Sequence, residues 1–195
     1  MAKVIGIKKA REARRPSHDL TELIKSAAII KNRIVDFRDN LKKKIIIAAS
    51  QGQFKVFLSG LISDAIFKHP SLICRESFLC GIYSAQVLTQ FFYESPKSWW
   101  ATDYLLEYAE ARDRQKSANA LKRGGDLCFL ICSVFPERAN IRAMTLKDYQ
   151  AMGIGFFQRH FYFSGAEISY FMSQQFSNKA TIIQGHILPE LKGER

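Results

Sequence analysis

The sequence contains no apolar run long enough to cross a lipid bilayer. Its longest apolar run, 127–135, is interrupted only by a serine and is nine residues long, whereas a membrane-spanning helix needs roughly 18 or more. The first 16 residues, MAKVIGIKKAREARRP, also lack an apolar segment of signal-peptide length. We therefore expect a cytoplasmic protein without a transmembrane segment.

Familiar catalytic, metal-binding and nucleic-acid-binding motifs are missing as well. The four cysteines form no C-x₂-C pair, and each lies in an apolar segment typical of buried, reduced thiols. No zinc finger, P-loop or RNP pattern occurs. The four histidines show no H-x-x-x-H or E-x-x-H spacing and are scattered at His18, His69, His160 and His186. We predict no metal and no cofactor, and the sequence favours a protein that is not an enzyme.

The basic charge is concentrated at the N-terminal end of the chain. Residues 1–50 hold 13 Lys and Arg against 5 Asp and Glu, which leaves +8 of the total formal charge of +11. Such a segment is typical both of polyanion-binding arms and of solvated tails. The first reading predicts binding of nucleic acid or another polyanion through Lys8, Lys9, Arg11, Arg14, Arg15, Lys42, Lys43 and Lys44.

Helical periodicity dominates the rest of the sequence. Apolar residues recur every three or four positions from Leu20 to Leu41, which predicts a long first helix of about 30 residues ending near Gly52. Thr145 and Asp148 have the spacing of a capping box. Neither alternating strands nor an internal repeat is found. We therefore predict an all-α, single-domain bundle of six to eight helices over 17–195, preceded by a mobile basic arm at 1–16. The helices after the first are expected at about 53–68, 71–91, 98–108, 115–134, 145–163 and 168–176.

The segment GGDLCFLICSVFPER, 124–138, places Asp126 at the start of an enclosed apolar helix. A carboxylate there costs several kcal/mol unless it finds donors. One interpretation is a buried polar clasp that holds two helices in register, in which Arg138, Arg142 and Tyr149 fold back from beyond the following turn and donate to Asp126. The other is a small pocket for a ligand or for acid–base chemistry. Both interpretations use the same side chains, namely Asp126, Glu137, Arg138, Arg142 and Tyr149.

The same region resembles a family of uncharacterised bacterial all-helical proteins. The resemblance rests on Gly125-Asp126, Phe135-Pro136-Glu137, Arg138 with Arg142, and Tyr149 followed by Met152-Gly153. It covers about 30 residues closely. It implies an all-helical fold and brings no activity with it.

Aromatic residues are unusually dense near the C-terminus. At 100° per residue, the rings between Phe156 and Phe163 point to all sides of a helix. The helix is then either enclosed by its own domain or covered in part by another chain. The leading hypothesis is a non-enzymatic helical interaction or scaffold protein, with a protein partner or a second copy bound through Phe156, Phe157, Tyr162, Phe163 and Phe171.

Overall fold

A computed structural model describes residues 51–142 and 144–192. The regular secondary structure of this part of the chain is entirely helical, and it contains no strand. No helix within it is long and apolar enough to span a membrane. The α-helices are α1 (Gln51–Phe67), α2 (Arg75–Tyr93), α3 (Ala101–Glu110), α4 (Arg114–Ser133), α5 (Leu146–Ser164), α6 (Glu167–Ile182) and the short α7 (Leu188–Lys192). Two 3₁₀ turns, Pro70–Leu72 and Pro136–Arg142, and a π-helical turn, Ile183–Ile187, complete it.

The all-α prediction is confirmed. The predicted long first helix and the arm at 1–16 lie outside the described residues. The predicted second helix corresponds to α1. The largest shift of a helix start concerns α2, which begins at Arg75 rather than near Ser71, because Pro70–Leu72 forms a 3₁₀ turn and Ile73 and Cys74 are extended. The last predicted helix, α6, continues to Ile182, six residues beyond the predicted end.

Local capping fixes several helix ends. The predicted capping box is present, since the Thr145 side chain accepts from the Asp148 N–H and the Asp148 side chain accepts from the Thr145 N–H. Gly165 ends α5 in the left-handed conformation, with φ 72°, which glycine adopts without strain. Asp113 caps α4, an N-terminal signal that we did not use in predicting this helix.

The core is built around α4, which contacts α2, α3, α5 and α6. Every side chain from Leu127 to Cys132 is buried, so the prediction of an enclosed helix is confirmed. Three glycines permit the close packing. A β-carbon at Gly124 would lie 2.6 Å from the ring of Phe156, and one at Gly125 would lie 3.0 Å from the ring of Phe157.

The third close contact lies on α5, where a β-carbon at Gly153 would lie 2.5 Å from Phe176. Ala151 and Gly155, two small residues four apart on the same helix, do not pack closely against a neighbouring helix. Ala151 is exposed, and no atom lies within 4 Å of a β-carbon built on Gly155. Gly124, Gly125 and Gly153 therefore make room for aromatic rings inside the domain.

Candidate functional site

Asp126 accepts two short hydrogen bonds near the start of the enclosed part of α4. The Tyr83 hydroxyl on α2 donates to Oδ1 at 2.6 Å, and Lys122 Nζ donates to Oδ2 at 2.6 Å. The Asp126 side chain is only 15 % exposed. Burial, followed by the charge and hydrogen bond of Asp126, raises the pKa of Tyr83 well above its usual value, which keeps the phenol a donor.

These donors correct the expectation that the connection after α4 neutralises Asp126. Lys122 lies one turn earlier on the same helix, and Tyr83 comes from α2. An Asp at i+4 from a Lys was a readable pairing signal. Tyr83 is 43 residues away from Asp126 in the sequence, so no spacing rule indicates this hydrogen bond.

Among the other members of the predicted set, Arg138 contacts an aromatic ring. The Arg138 guanidinium packs over the ring of Trp99, 4.3 Å from its centroid. Burial lowers the pKa of Arg138, while Tyr149 and Glu137 oppose that shift. These three residues therefore share one electrostatic environment, in which Tyr149 is buried. The side chain of Arg142 lies outside what the structure describes.

Asp126 borders a cleft of about 310 Å³. Its walls include the apolar side chains of Val87, Phe91 and Leu130. Polar groups at its edge include Lys97 and Arg123, and both form ion pairs with Glu107. The cleft thus combines an apolar interior with charged groups, but Glu137, Arg138 and Tyr149 do not border it.

The predicted interface residues divide into core and surface. Phe156 and Phe157 are 2 % and 0 % exposed, because they fill the space left by the glycines of α4. Neither residue reaches a partner, which corrects that part of the interface prediction. Phe163 is half-buried, with its ring edge-on to Tyr108 at 5.6 Å.

A continuous row of rings does reach the surface. Tyr162 is 77 % exposed and Tyr170 is 46 % exposed. Ring centroids are 5.8 Å apart for Tyr162 and Phe161, 5.5 Å for Phe161 and Tyr170, and 6.0 Å for Tyr170 and Phe171. We call these four residues the aromatic row. A groove of about 400 Å³, bordered by Phe171 and the exposed Ile82, adjoins it.

Two histidines that are remote in sequence also meet. His69 Nε2 lies 3.0 Å from His186 Nε2, across 117 residues of chain. Spacing rules for motifs do not detect such a pair, because the contact depends on how the helices pack. Within the described ranges, no group of three or more His, Cys, Asp or Glu residues is placed to hold a metal ion.

Lys179 is fully buried and donates a hydrogen bond to Ser77 Oγ. Burial lowers the pKa of Lys179. Burial also raises the pKa values of Cys80 and Cys132 to about 12, so both stay thiols. Cys128 is buried too, whereas Cys74 is exposed, contrary to its apolar sequence context. Lys179 is a buried polar group of the core that no sequence pattern indicated.

The predicted polyanion-binding residues, Lys8 to Arg15 and Lys42 to Lys44, lie outside the described part of the chain. Comparisons with protein-family models, curated proteins and solved structures find no match for this chain. The resemblance to a bacterial helical family therefore stays a prediction.

Proposed function

We propose that this chain, a single-domain helical bundle acting in the cytoplasm, is a non-enzymatic interaction protein that forms a homodimer through the aromatic row. The observation that carries this proposal is the unbroken ring contact from Tyr162 to Phe171 across the surfaces of α5 and α6. Aromatic side chains supply much of the binding energy of protein interfaces at low entropic cost.

A row of this kind is suited to a two-fold interface, because the same surface is presented by both copies. The adjoining groove at Ile82 and Phe171 offers a place for a side chain of the other copy, such as Tyr162. Burying one exposed phenol ring contributes about 1–2 kcal/mol by area alone. Because a two-fold dimer contains each tyrosine twice, replacing one tyrosine of the row removes about 2–4 kcal/mol, which weakens the dimerisation constant by about 30-fold or more.

Light scattering combined with size-exclusion chromatography over a concentration series tests the proposal. Tyr162→Ser and Tyr170→Ser should each weaken the dimer. Tyr93→Ser is a matched control, because Tyr93 is 42 % exposed and lies on α2 outside the row. A monomer at every concentration, or equal weakening by Tyr93→Ser, would contradict the proposal.

Small-ligand binding in the cleft beside Asp126 is a second candidate function. The volume of about 310 Å³ is at the lower end of the range for ligand pockets. The apolar walls and charged edge suit a small molecule with an apolar body and one polar group. Ser95 borders the cleft, so Ser95→Trp should block fragment binding followed by NMR, while Ser95→Ala should preserve it. Equal binding to both variants would exclude this site.

Polyanion binding through the N-terminal residues is the remaining candidate, and it is supported by the charge of +8 in residues 1–50. Affinity for nucleic acid should fall steeply with salt, because bound counterions are released on association. Deleting residues 1–15 should weaken that binding. Unchanged binding by the shortened chain would remove the candidate.

A further inference from the structure

The contact between His69 and His186 is held by well-defined backbone on both sides. His69 follows α1, its N–H donates to Ile66 O at 2.9 Å, and its carbonyl accepts from Leu72 at 2.8 Å. His186 lies in the π-helical turn, whose first and last residues, Ile183 and Ile187, are buried. That turn packs against α1. Single π-helical turns are rare and occur often at functional sites.

We propose that His69 and His186 form a binding site for a divalent transition-metal ion of the class that prefers imidazole, such as Zn²⁺ or Ni²⁺. The two Nε2 atoms are 3.0 Å apart. With metal–nitrogen distances of about 2.0–2.1 Å, two nitrogens on one ion lie about 2.9 Å apart at a right angle and about 3.3 Å apart at the tetrahedral angle. The observed separation falls between these values.

Solvent exposure of the two histidines and the chemistry of imidazole also support a metal site. The His69 side chain is exposed and His186 is half-buried, so an ion reaches the pair from solvent. Both imidazoles bind as neutral groups with the proton on Nδ1, which leaves each Nε2 lone pair for the metal. On binding, the ring that donates the Nε2–H···Nε2 hydrogen bond in the metal-free contact moves its proton from Nε2 to Nδ1, and the metal takes the place of that hydrogen bond.

The protein supplies two ligands to the ion, one imidazole from each histidine. Since no third His, Cys, Asp or Glu joins the pair in the described ranges, water fills the remaining positions. Closed structural zinc sites have four protein ligands, so this site exchanges its ion more readily. The bound ion joins the connection between α1 and α2 to the C-terminal end of the bundle. Binding to the folded chain alone stabilises it as the metal concentration rises above Kd.

Calorimetric titration of the full-length, metal-free chain with ZnCl₂ and with NiCl₂ tests the proposal. We expect one ion per chain and a rise in Tm with metal concentration. His69→Gln and His186→Gln should each reduce the affinity at least tenfold and abolish the rise in Tm. The His69 variant alone decides the question if the His186 variant does not fold, since His69 is exposed.

Two controls separate this pair from other metal ligands. His18→Gln removes a histidine from the N-terminal segment, and Cys74→Ser removes the exposed thiol. Both variants should bind the ion as the wild type does. Absence of binding by the wild type, unchanged binding by His69→Gln, or loss of binding with either control would overturn the assignment.

Discussion

The packing of α5 predicts that Gly153→Ala destabilises the protein, although alanine is the better helix former. A β-carbon at residue 153 would lie 2.5 Å from Cε2 of Phe176, 2.6 Å from its Cζ and 2.9 Å from Cβ of Cys128. Carbon atoms in contact are normally about 3.5–4.0 Å apart, so the overlap with the ring is about 1 Å.

The surroundings give Phe176 little room to move. The ring is 0 % exposed, and its centroid lies 5.4 Å from that of Phe129 and 6.2 Å from that of Phe157. Cys128 lies on α4 and is fully buried. Overpacking of such a core costs about 1–3 kcal/mol.

Gly155→Ala is the matched control, because Gly155 lies on the same helix with no atom within 4 Å of the added β-carbon. Helix propensity favours alanine by about 1 kcal/mol at both positions and cancels between the two variants. We expect Gly155→Ala to unfold at a higher urea concentration than the wild type. The free energy of unfolding of Gly153→Ala should be about 1–3 kcal/mol below that of Gly155→Ala.

Urea unfolding followed by far-ultraviolet circular dichroism measures both differences. The slope of free energy against urea should be the same in all three proteins, since the surface exposed on unfolding is unchanged. Equal midpoints for the two variants, or a higher midpoint for Gly153→Ala, would refute the close packing of α5 against Phe176 and Cys128.

Three further predictions concern buried or capping groups. Lys179→Met should raise the free energy of unfolding near neutral pH by about 1 kcal/mol or more, because burial disfavours the ammonium form. Because the pKa of Lys179 is lowered in the folded chain, the unfolded chain keeps the ammonium proton to higher pH, and the wild type becomes more stable as the pH rises towards 10.5. The difference in free energy of unfolding between Lys179→Met and the wild type should therefore shrink over this range, and a difference that does not change with pH would contradict the lowered pKa. Tyr83→Phe should cost about 1–2 kcal/mol in urea unfolding, because Asp126 loses a donor, and an unchanged midpoint would argue against this bond. Thr145→Ala should cost about 1 kcal/mol in urea unfolding through the lost cap of α5. This cost should shrink in acid, because the Thr145 hydroxyl also donates to the Asp148 carboxylate, which has a lowered pKa and is a weaker acceptor once it is protonated; a cost that does not change with pH would contradict this bond.

Much of the local structure follows from the sequence. The capping box at Thr145 and Asp148 acts over three residues, so the sequence predicts the start of α5. The apolar run after Asp126 correctly predicts an enclosed helix. The ion pair of Asp126 with Lys122 was also available at i,i+4 spacing, although we expected the donors in the following connection.

Tertiary packing decided the rest. Periodicity gives the angle at which Phe156 or Tyr162 leaves its helix, but not which neighbour lies at that angle. The glycines of α4 and α5 brought the neighbouring helices close enough to enclose Phe156 and Phe157, while Tyr162 was left at the surface. Likewise, the four histidines show no motif spacing in the sequence. Only the packing of the π-helical turn against α1 places the Nε2 atoms of His69 and His186 3.0 Å apart. Short-range hydrogen bonds depend on neighbours in sequence, whereas these contacts depend on the packing of whole helices.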